Sequence, residues 1–519
     1  MLFNSFIFIF AFLPLAFVAF YGLRLVGGRR AAMWLLTLAS IAFYAWWLPS
    51  QTWILLVSIV GNYFAGHFIQ KYRETNRGLA KLILFLGLGA DLGALLYFKY
   101  AMFILANVKL VSGADFVIPH IILPLGISFF TFQKIAYLVD CSRGEAKNTT
   151  FSEFALFAAF FPQLIAGPIV HHKEIIPQFR NEVFGRLQWS NVLVGLSIFS
   201  MGLFKKTVIA DSLAGYFGPT YKAALAHGPV DPMTGWVMAV AWTLQVYFDF
   251  SGYSDLAIGL ARMFGVRLPL NFHSPLRAAS ITEYWRRWHM SLQRFVVSYI
   301  FQPLALPLNR LSAKYNAQGW TAFALTVAIP SFITFFVLGV WHGAGWNYVV
   351  FGLLHGGYVS INEAYREAKR RRRRALRRAG KPAPTEGIPR RAFYHILTLV
   401  SALTANMFFR AGSLHEGFAV ARGMWGFNGL LPSAGLVEPA FVGLLVLAAF
   451  IVVFMPNTQQ IMRNYRPAVN WRQWRTVGQS PISWTWRPTL PHLLYIAVAL
   501  FLGVEFIQRG AEIFVYFNF

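Results

Sequence analysis

Apolar stretches close to the ~20 residues that a helix needs to cross a bilayer recur along this chain from beginning to end. They fall at about residues 2–23, 31–48, 51–70, up to 98, 187–203, 236–250, 393–409, 439–454 and 490–506. Only 13% of the 519 residues are charged and 57% are hydrophobic, whereas a soluble protein carries about a quarter charged residues. The pattern predicts an all-α polytopic membrane protein with roughly eleven to thirteen membrane segments. The stretch from Met1 to Tyr21 reads as a first span that stays, because more spans follow without a cleavage-type boundary.

The formal charge is +26. In a soluble chain that would suggest nucleic acid, but no readout motif accompanies the charge, and nucleic acid is not an expected partner. The basic residues instead sit between spans: Arg24, Arg29 and Arg30, then Lys71, Arg73, Arg77 and Lys81. That alternation is the cytoplasmic bias of membrane proteins, and it predicts an external N-terminus. A dense basic stretch at 366–391, which includes the arginines at 370–374, reads as a cytoplasmic loop against anionic headgroups. The Trp-rich stretch 456–488 reads as an interfacial loop. No repeat and no second domain is apparent, so residues 1–519 are read as one membrane domain. Cys141 is the single cysteine, which excludes an internal disulfide and a cysteine-ligated metal site.

Two stretches break the pattern. Phe161-Pro-Gln-Leu-Ile-Ala-Gly-Pro168 interrupts an apolar run and predicts a broken or re-entrant segment shielded by protein. In 280–303, Trp285, Trp288, Leu292, Phe295 and Tyr299 form one helical stripe, with Arg286, Arg287 and Arg294 off it. This predicts an interfacial amphipathic helix with His289 at the stripe's edge.

The strongest chemical signal is Gly339-Val-Trp-His-Gly-Ala-Gly-Trp-Asn347, flanked on both sides by apolar residues. Polar side chains at bilayer depth are expensive and face a bundle interior or a wet cavity, so His342 is a functional candidate by its position. Gly339 and Gly343, and Gly352 and Gly356, have the four-residue spacing of close helix crossings. His355 would lie about 220° from His342 on a continuous helix, and shares a face with it only if the glycines bend the segment. Asp249 and Asp255 lie in or beside a span. Ion pairing with Arg262, Lys205 or Lys206 is favoured over proton chemistry, and Asp249 is kept among the substrate-binding candidates. No Walker loop, dinucleotide fingerprint or HExxH is visible. Histidine as general base is the available chemistry: an imidazole kept neutral by burial takes a hydroxyl proton as that hydroxyl attacks an acyl carbon.

Seven stretches in fixed order resemble the membrane-bound O-acyltransferases, specifically the bacterial alginate O-acetylation branch. They are Leu123-Pro-Leu-Gly-Ile-Ser-Phe-Phe-Thr-Phe-Gln, Phe161-Pro-Gln-Leu-Ile-Ala-Gly-Pro-Ile, Tyr247-Phe-Asp-Phe-Ser-Gly-Tyr-Ser-Asp, Trp285-Arg-Arg-Trp-His-Met-Ser-Leu, Val340-Trp-His-Gly-Ala-Gly-Trp-Asn, Met455-Pro-Asn-Thr-Gln-Gln and Val515-Tyr-Phe-Asn-Phe519. The resemblance implies a ring of tilted transmembrane helices around a central tunnel. It implies His342 as the essential catalytic residue and His289 as the second histidine. Trp341, Trp346, Asn347, Trp288, Trp285 and Asp249 are the expected substrate-binding residues. No cofactor or metal is expected to be permanently bound. The donor would be acetyl-CoA or another acyl thioester, and the acceptor an exported polysaccharide reached through a periplasmic acetyltransferase-type partner. Together these readings predict a multi-pass O-acetyltransferase of a bacterial inner membrane. The alternatives are acyl transfer to teichoic acid, a lipid or a protein, or, in another class, a transporter of acyl or sugar substrates, which would be expected to show two related halves.

Overall fold

The computed structural model describes residues 1–146, 148–226, 228–382, 387–430 and 437–509. The aromatic ending at 515–519 and residues 383–386 of the basic stretch lie outside the described residues. Among the described residues every regular element is helical. Seven helical runs are long and apolar enough to cross a membrane, and the shorter Pro439–Phe454 is apolar as well.

The first run, Phe8–Ala45, has 38 residues. It joins a π-helical turn, Phe8–Phe12, to α1 (Leu13–Ala45). Despite its continuity it is two spans. Gly28 leaves the helical region at φ 76°, ψ −171°, a backbone that glycine adopts without a Cβ penalty. The rings of Phe8 and Phe43 then meet at 5.7 Å, whereas an unbroken helix would hold them about 50 Å apart. Arg24 and Arg29 stand at this reversal and donate to the carbonyls of Phe184, Glu182 and Arg180.

The chain continues through α2 (Thr52–Tyr72) and α3 (Arg77–Leu95). A π-helical turn at Leu96–Tyr100 leads into α4 (Ala101–Ser112). After α5 (Ile127–Arg143), α6 (Phe151–Ala159) stops at Phe160, which leaves the helical region just before Pro162. The broken segment is wholly buried, so its interrupted backbone is shielded by protein, as a break at this depth requires.

α7 (Trp189–Leu203) runs through a π-helical stretch, Phe204–Ala210, into α8 (Asp211–Ala226). Lys205 and Lys206 follow the 187–203 apolar stretch in sequence, yet they lie mid-helix. α9 (Pro232–Met263) packs beside them and is buried along most of its length. The approach is close: a Cβ at Gly259 would sit 2.6 Å from the carbonyl oxygen of Gly195. Buried charges at this depth require partners. Lys205 pairs with Asp255 at 2.7 Å, and Lys206 with Asp211 at 2.6 Å and Asp249 at 2.8 Å. Thr458 and Gln459 also donate to Asp255. The segment 456–488 is thus not wholly interfacial, because its first residues insert to the buried acid.

The stretch 280–303 also differs from expectation. It is broken at Trp288 and His289 into a short helix, α10 (Ile281–Arg287), and α11 (Met290–Val296), which runs on through a π-helical stretch, Val297–Phe301, into a helix that ends at Lys314. Trp285, Trp288, His289, Leu292 and Phe295 are all buried, so the apolar stripe faces protein and not the membrane surface. α12 (Ile329–His342) and α13 (Trp346–Arg378) form an antiparallel pair. α13 keeps its helical form through the arginines at 370–374, where a loop was expected, and projects them as an exposed basic rod. α14 (Ile388–Arg410), α15 (Pro439–Phe454) and α16 (Leu490–Glu505) complete the bundle.

Candidate active site

α12 and α13 cross where glycines allow it. A Cβ on Gly339 would overlap the carbonyl of Tyr348, and one on Gly352 the carbonyl of Phe335; each would also come within 3.0 Å of the other glycine's Cα. α12 ends at His342 because Gly343 is extended, at φ −169°, ψ 158°. The last carbonyls of a helix lack intrahelical partners. Here Tyr100 donates its hydroxyl to the Val340 carbonyl at 2.8 Å. The Lys99 ammonium donates to the Trp341 carbonyl at 2.5 Å and, more weakly, to that of His342 at 3.4 Å. His342 is 4% exposed. Its ring meets Trp341 at 4.9 Å, Phe351 at 5.6 Å and Phe409 at 5.0 Å.

His289 sits at the break between α10 and α11 with φ 44°, ψ 52°, a left-handed conformation uncommon for a residue with a Cβ. One amide holds it there. The Met290 N–H donates to the Asn271 backbone carbonyl at 2.9 Å. The Asn271 side-chain Oδ1 accepts from Ser291 Oγ at 2.8 Å and from the Ser291 N–H at 3.4 Å. A backbone N–H can only donate, so this atom is the amide oxygen. His289 Nδ1, 3.0 Å from the same oxygen, must then carry the proton, which leaves the imidazole lone pair on Nε2.

Two cavities reach the histidines. One, of about 440 Å³, runs between α10–α11 and α12–α13, from Arg286, Arg366 and Arg370 at one end to His289 at the other. Its middle is walled by Leu292, Val296, Phe335 and Leu338. A second, of only about 30 Å³, is lined by Lys99, Gly126, Ser128, Phe129, Trp341 and His342 among others. The aromatic wall between the histidines is Trp341 and Phe129. The Trp341 ring lies 6.3 Å from His289, that of Phe129 lies 6.3 Å from His289, and the two rings are 5.7 Å apart.

The glycine break does bring His355 to the same cluster. Its ring meets Phe351 at 4.7 Å, and Trp285 Nε1–H donates to its Nδ1 at 3.1 Å. Trp285 lines the larger cavity. The other sequence candidates lie elsewhere. Trp288 stacks on Tyr284 and meets Phe272 edge-on, lining neither cavity. Asn347 donates to the carbonyls of Phe408 and Ala411, tying α13 to the end of α14. Trp346 is 54% exposed and donates to Asn107. Asp249 is held by Lys206. Sequence reasoning did not single out Lys99, Tyr100, Phe129 or Asn271. The described residues hold no group of three or more His, Cys, Asp or Glu placed to bind a metal ion.

A sequence model of the membrane-bound O-acyltransferase family matches residues 41–379, which span the α10–α13 histidines and the Lys99 turn. The chain belongs to that family. The enzyme is an O-acyltransferase and a multi-pass membrane protein. It is 37% identical to a peptidoglycan O-acetyltransferase of Helicobacter pylori over 83% of this chain and 81% of that one. It is 33% identical to a probable alginate O-acetylase of Pseudomonas putida over the full length of both chains. A teichoic acid D-alanyltransferase of Streptococcus thermophilus is 29% identical over 50% of this chain and 62% of its own.

Proposed function

We propose that this acyltransferase takes an acetyl group from a thioester at its basic face and delivers it to a hydroxyl approaching from the opposite face. That acceptor belongs to an exported polysaccharide or to a periplasmic acetyltransferase-type partner. The setting is a bacterial inner membrane, with the basic face in the cytoplasm by the positive-inside rule and the basic end of α13 against anionic headgroups.

The observation that carries the reading is the pair of cavities. The larger one starts at arginines suited to the phosphates of acetyl-CoA or of a carrier arm and ends at His289. A neighbouring chamber of about 410 Å³ shares Arg286 and Arg366 with it and adds Arg287 and Trp474. The smaller cavity ends at His342. In the proposed step the acceptor oxygen bonds to the acyl carbon while its proton passes to the His342 imidazole. The carbonyl π pair moves to oxygen. Collapse of that oxyanion breaks the C–S bond, and the thiolate leaves with the proton that His342 took up. His289, fixed by Asn271, orients the donor end, with Trp285 and Trp341 against the acyl arm. Acetyl is favoured over D-alanyl because the relatives that match across most of this chain are named for O-acetylation.

His342→Ala is expected to abolish acetylation of the exported polymer while the protein remains in the membrane at wild-type level. Normal acetylation in that variant contradicts the assignment. Movement of intact acyl or sugar substrate across vesicles, with no transfer from thioester to hydroxyl, would replace the enzyme reading with transport.

A further inference from the structure

Lys99 contrasts with the two mid-helix lysines beside α9. Lys205 and Lys206 are matched by buried carboxylates. Lys99 has no carboxylate partner among the described residues; it contacts the carbonyls of Trp341 and His342, and the Trp341 ring lies 5.7 Å from its Nζ. It also lines the 30 Å³ cavity that ends at His342. A polar or charged cap on the end of α12 is explained by the orphan carbonyls and by the negative end of the helix dipole. The neutral Tyr100 hydroxyl already supplies such a cap one residue away. A lysine that lines a cavity of this size, beside the imidazole, asks for a further reason.

We propose that Lys99 is a positioning residue of the transfer reaction. Its ammonium clamps the last two carbonyls of α12 and so fixes the imidazole of His342, and it places a positive charge at the cavity where an oxyanion forms. This rests on the reading of His342 as the base. An ammonium has three N–H groups. Two are committed to the carbonyls, which leaves one for the cavity. A fixed cation where negative charge develops lowers the barrier without reorganising at the moment of reaction.

The test uses the full-length protein in proteoliposomes, with labelled acetyl-CoA and a hydroxyl acceptor, and compares Lys99→Met, Lys99→Arg and Tyr100→Phe. Lys99→Met is expected to lower kcat by about 10²-fold with donor KM within about threefold. Lys99→Arg should recover a measurable part of the loss, and Tyr100→Phe, which removes the other cap on the same helix end, should stay within about threefold of wild type. If Lys99→Met and Tyr100→Phe lose activity alike, or if Lys99→Met keeps its kcat, Lys99 is only a helix cap and the proposal fails. Thermal unfolding in detergent shows whether Lys99→Met folds; if it does not, Lys99→Arg decides, since wild-type folding with no recovery of kcat overturns the role of charge. A dead His342→Ala beside an active Lys99→Met would overturn this proposal alone. An active His342→Ala would overturn the reading on which it rests.

Discussion

His289 holds its imidazole on a left-handed backbone, a conformation that costs a non-glycine residue on the order of 1–3 kcal/mol. The compensation is Asn271, which takes the Met290 N–H on its main chain and His289 Nδ1 on its side chain. Asparagine tolerates the same backbone, so His289→Asn should lower the unfolding temperature only by the lost ring packing, yet lose about 10²-fold in turnover. Loss of stability without loss of turnover would assign His289 to structure alone. Asn271→Ala removes the oxygen that sets the tautomer and should likewise depress kcat by about 10²-fold, read in the same transfer assay. Much of the site was open to sequence reading at this scale. An imidazole inside an apolar run is expensive unless it has a purpose, and that exposed His342. Asn271 was hidden because its partners lie 18 to 20 positions away and no periodicity links them. Lys99 was hidden further, since its acceptors lie 242 and 243 positions along the chain.

The helices add a second kind of constraint. The Gly339–Gly352 crossing leaves no room for even a methyl group. Gly339→Ala should push α12 from α13 at a cost of about 1–3 kcal/mol, seen as a lower unfolding temperature in detergent, and should displace His342 with it. An unchanged unfolding temperature would mean that the crossing is looser than described. The four-residue glycine spacing made this contact legible in advance, and the reversal at Gly343–Gly345 follows from it. The break at His289 was not legible, because neither glycine nor proline marks it and the aromatic stripe continues across it at helical spacing. The mid-helix lysines misled for a related reason. A basic pair after an apolar run looks like a span's end unless the acids that bury it, Asp211, Asp249 and Asp255, are known to be neighbours. Lys206→Met would strand the buried carboxylates of Asp211 and Asp249. It should destabilise the bundle by about 3–5 kcal/mol, which a melting curve compared with that of wild type will show.

At the scale of the molecule, Arg286, Arg366 and Arg370 line the 440 Å³ cavity, while His342 borders a separate, smaller space. Filling the larger cavity, for example with Leu338→Trp, should stop turnover while His289, His342 and Lys99 remain in place; full activity in a folded Leu338→Trp would show that the donor uses another path. In the proposed mechanism thioester and alcohol come from different sides of the membrane and meet at one imidazole. The direct measurement is acyl transfer in proteoliposomes of known orientation, with labelled acetyl-CoA offered to one face at a time and the acceptor held at the other. Label should reach the acceptor only when the donor faces the basic side, and not at all in His342→Ala; equal transfer from either face, or undiminished transfer without that imidazole, would contradict it.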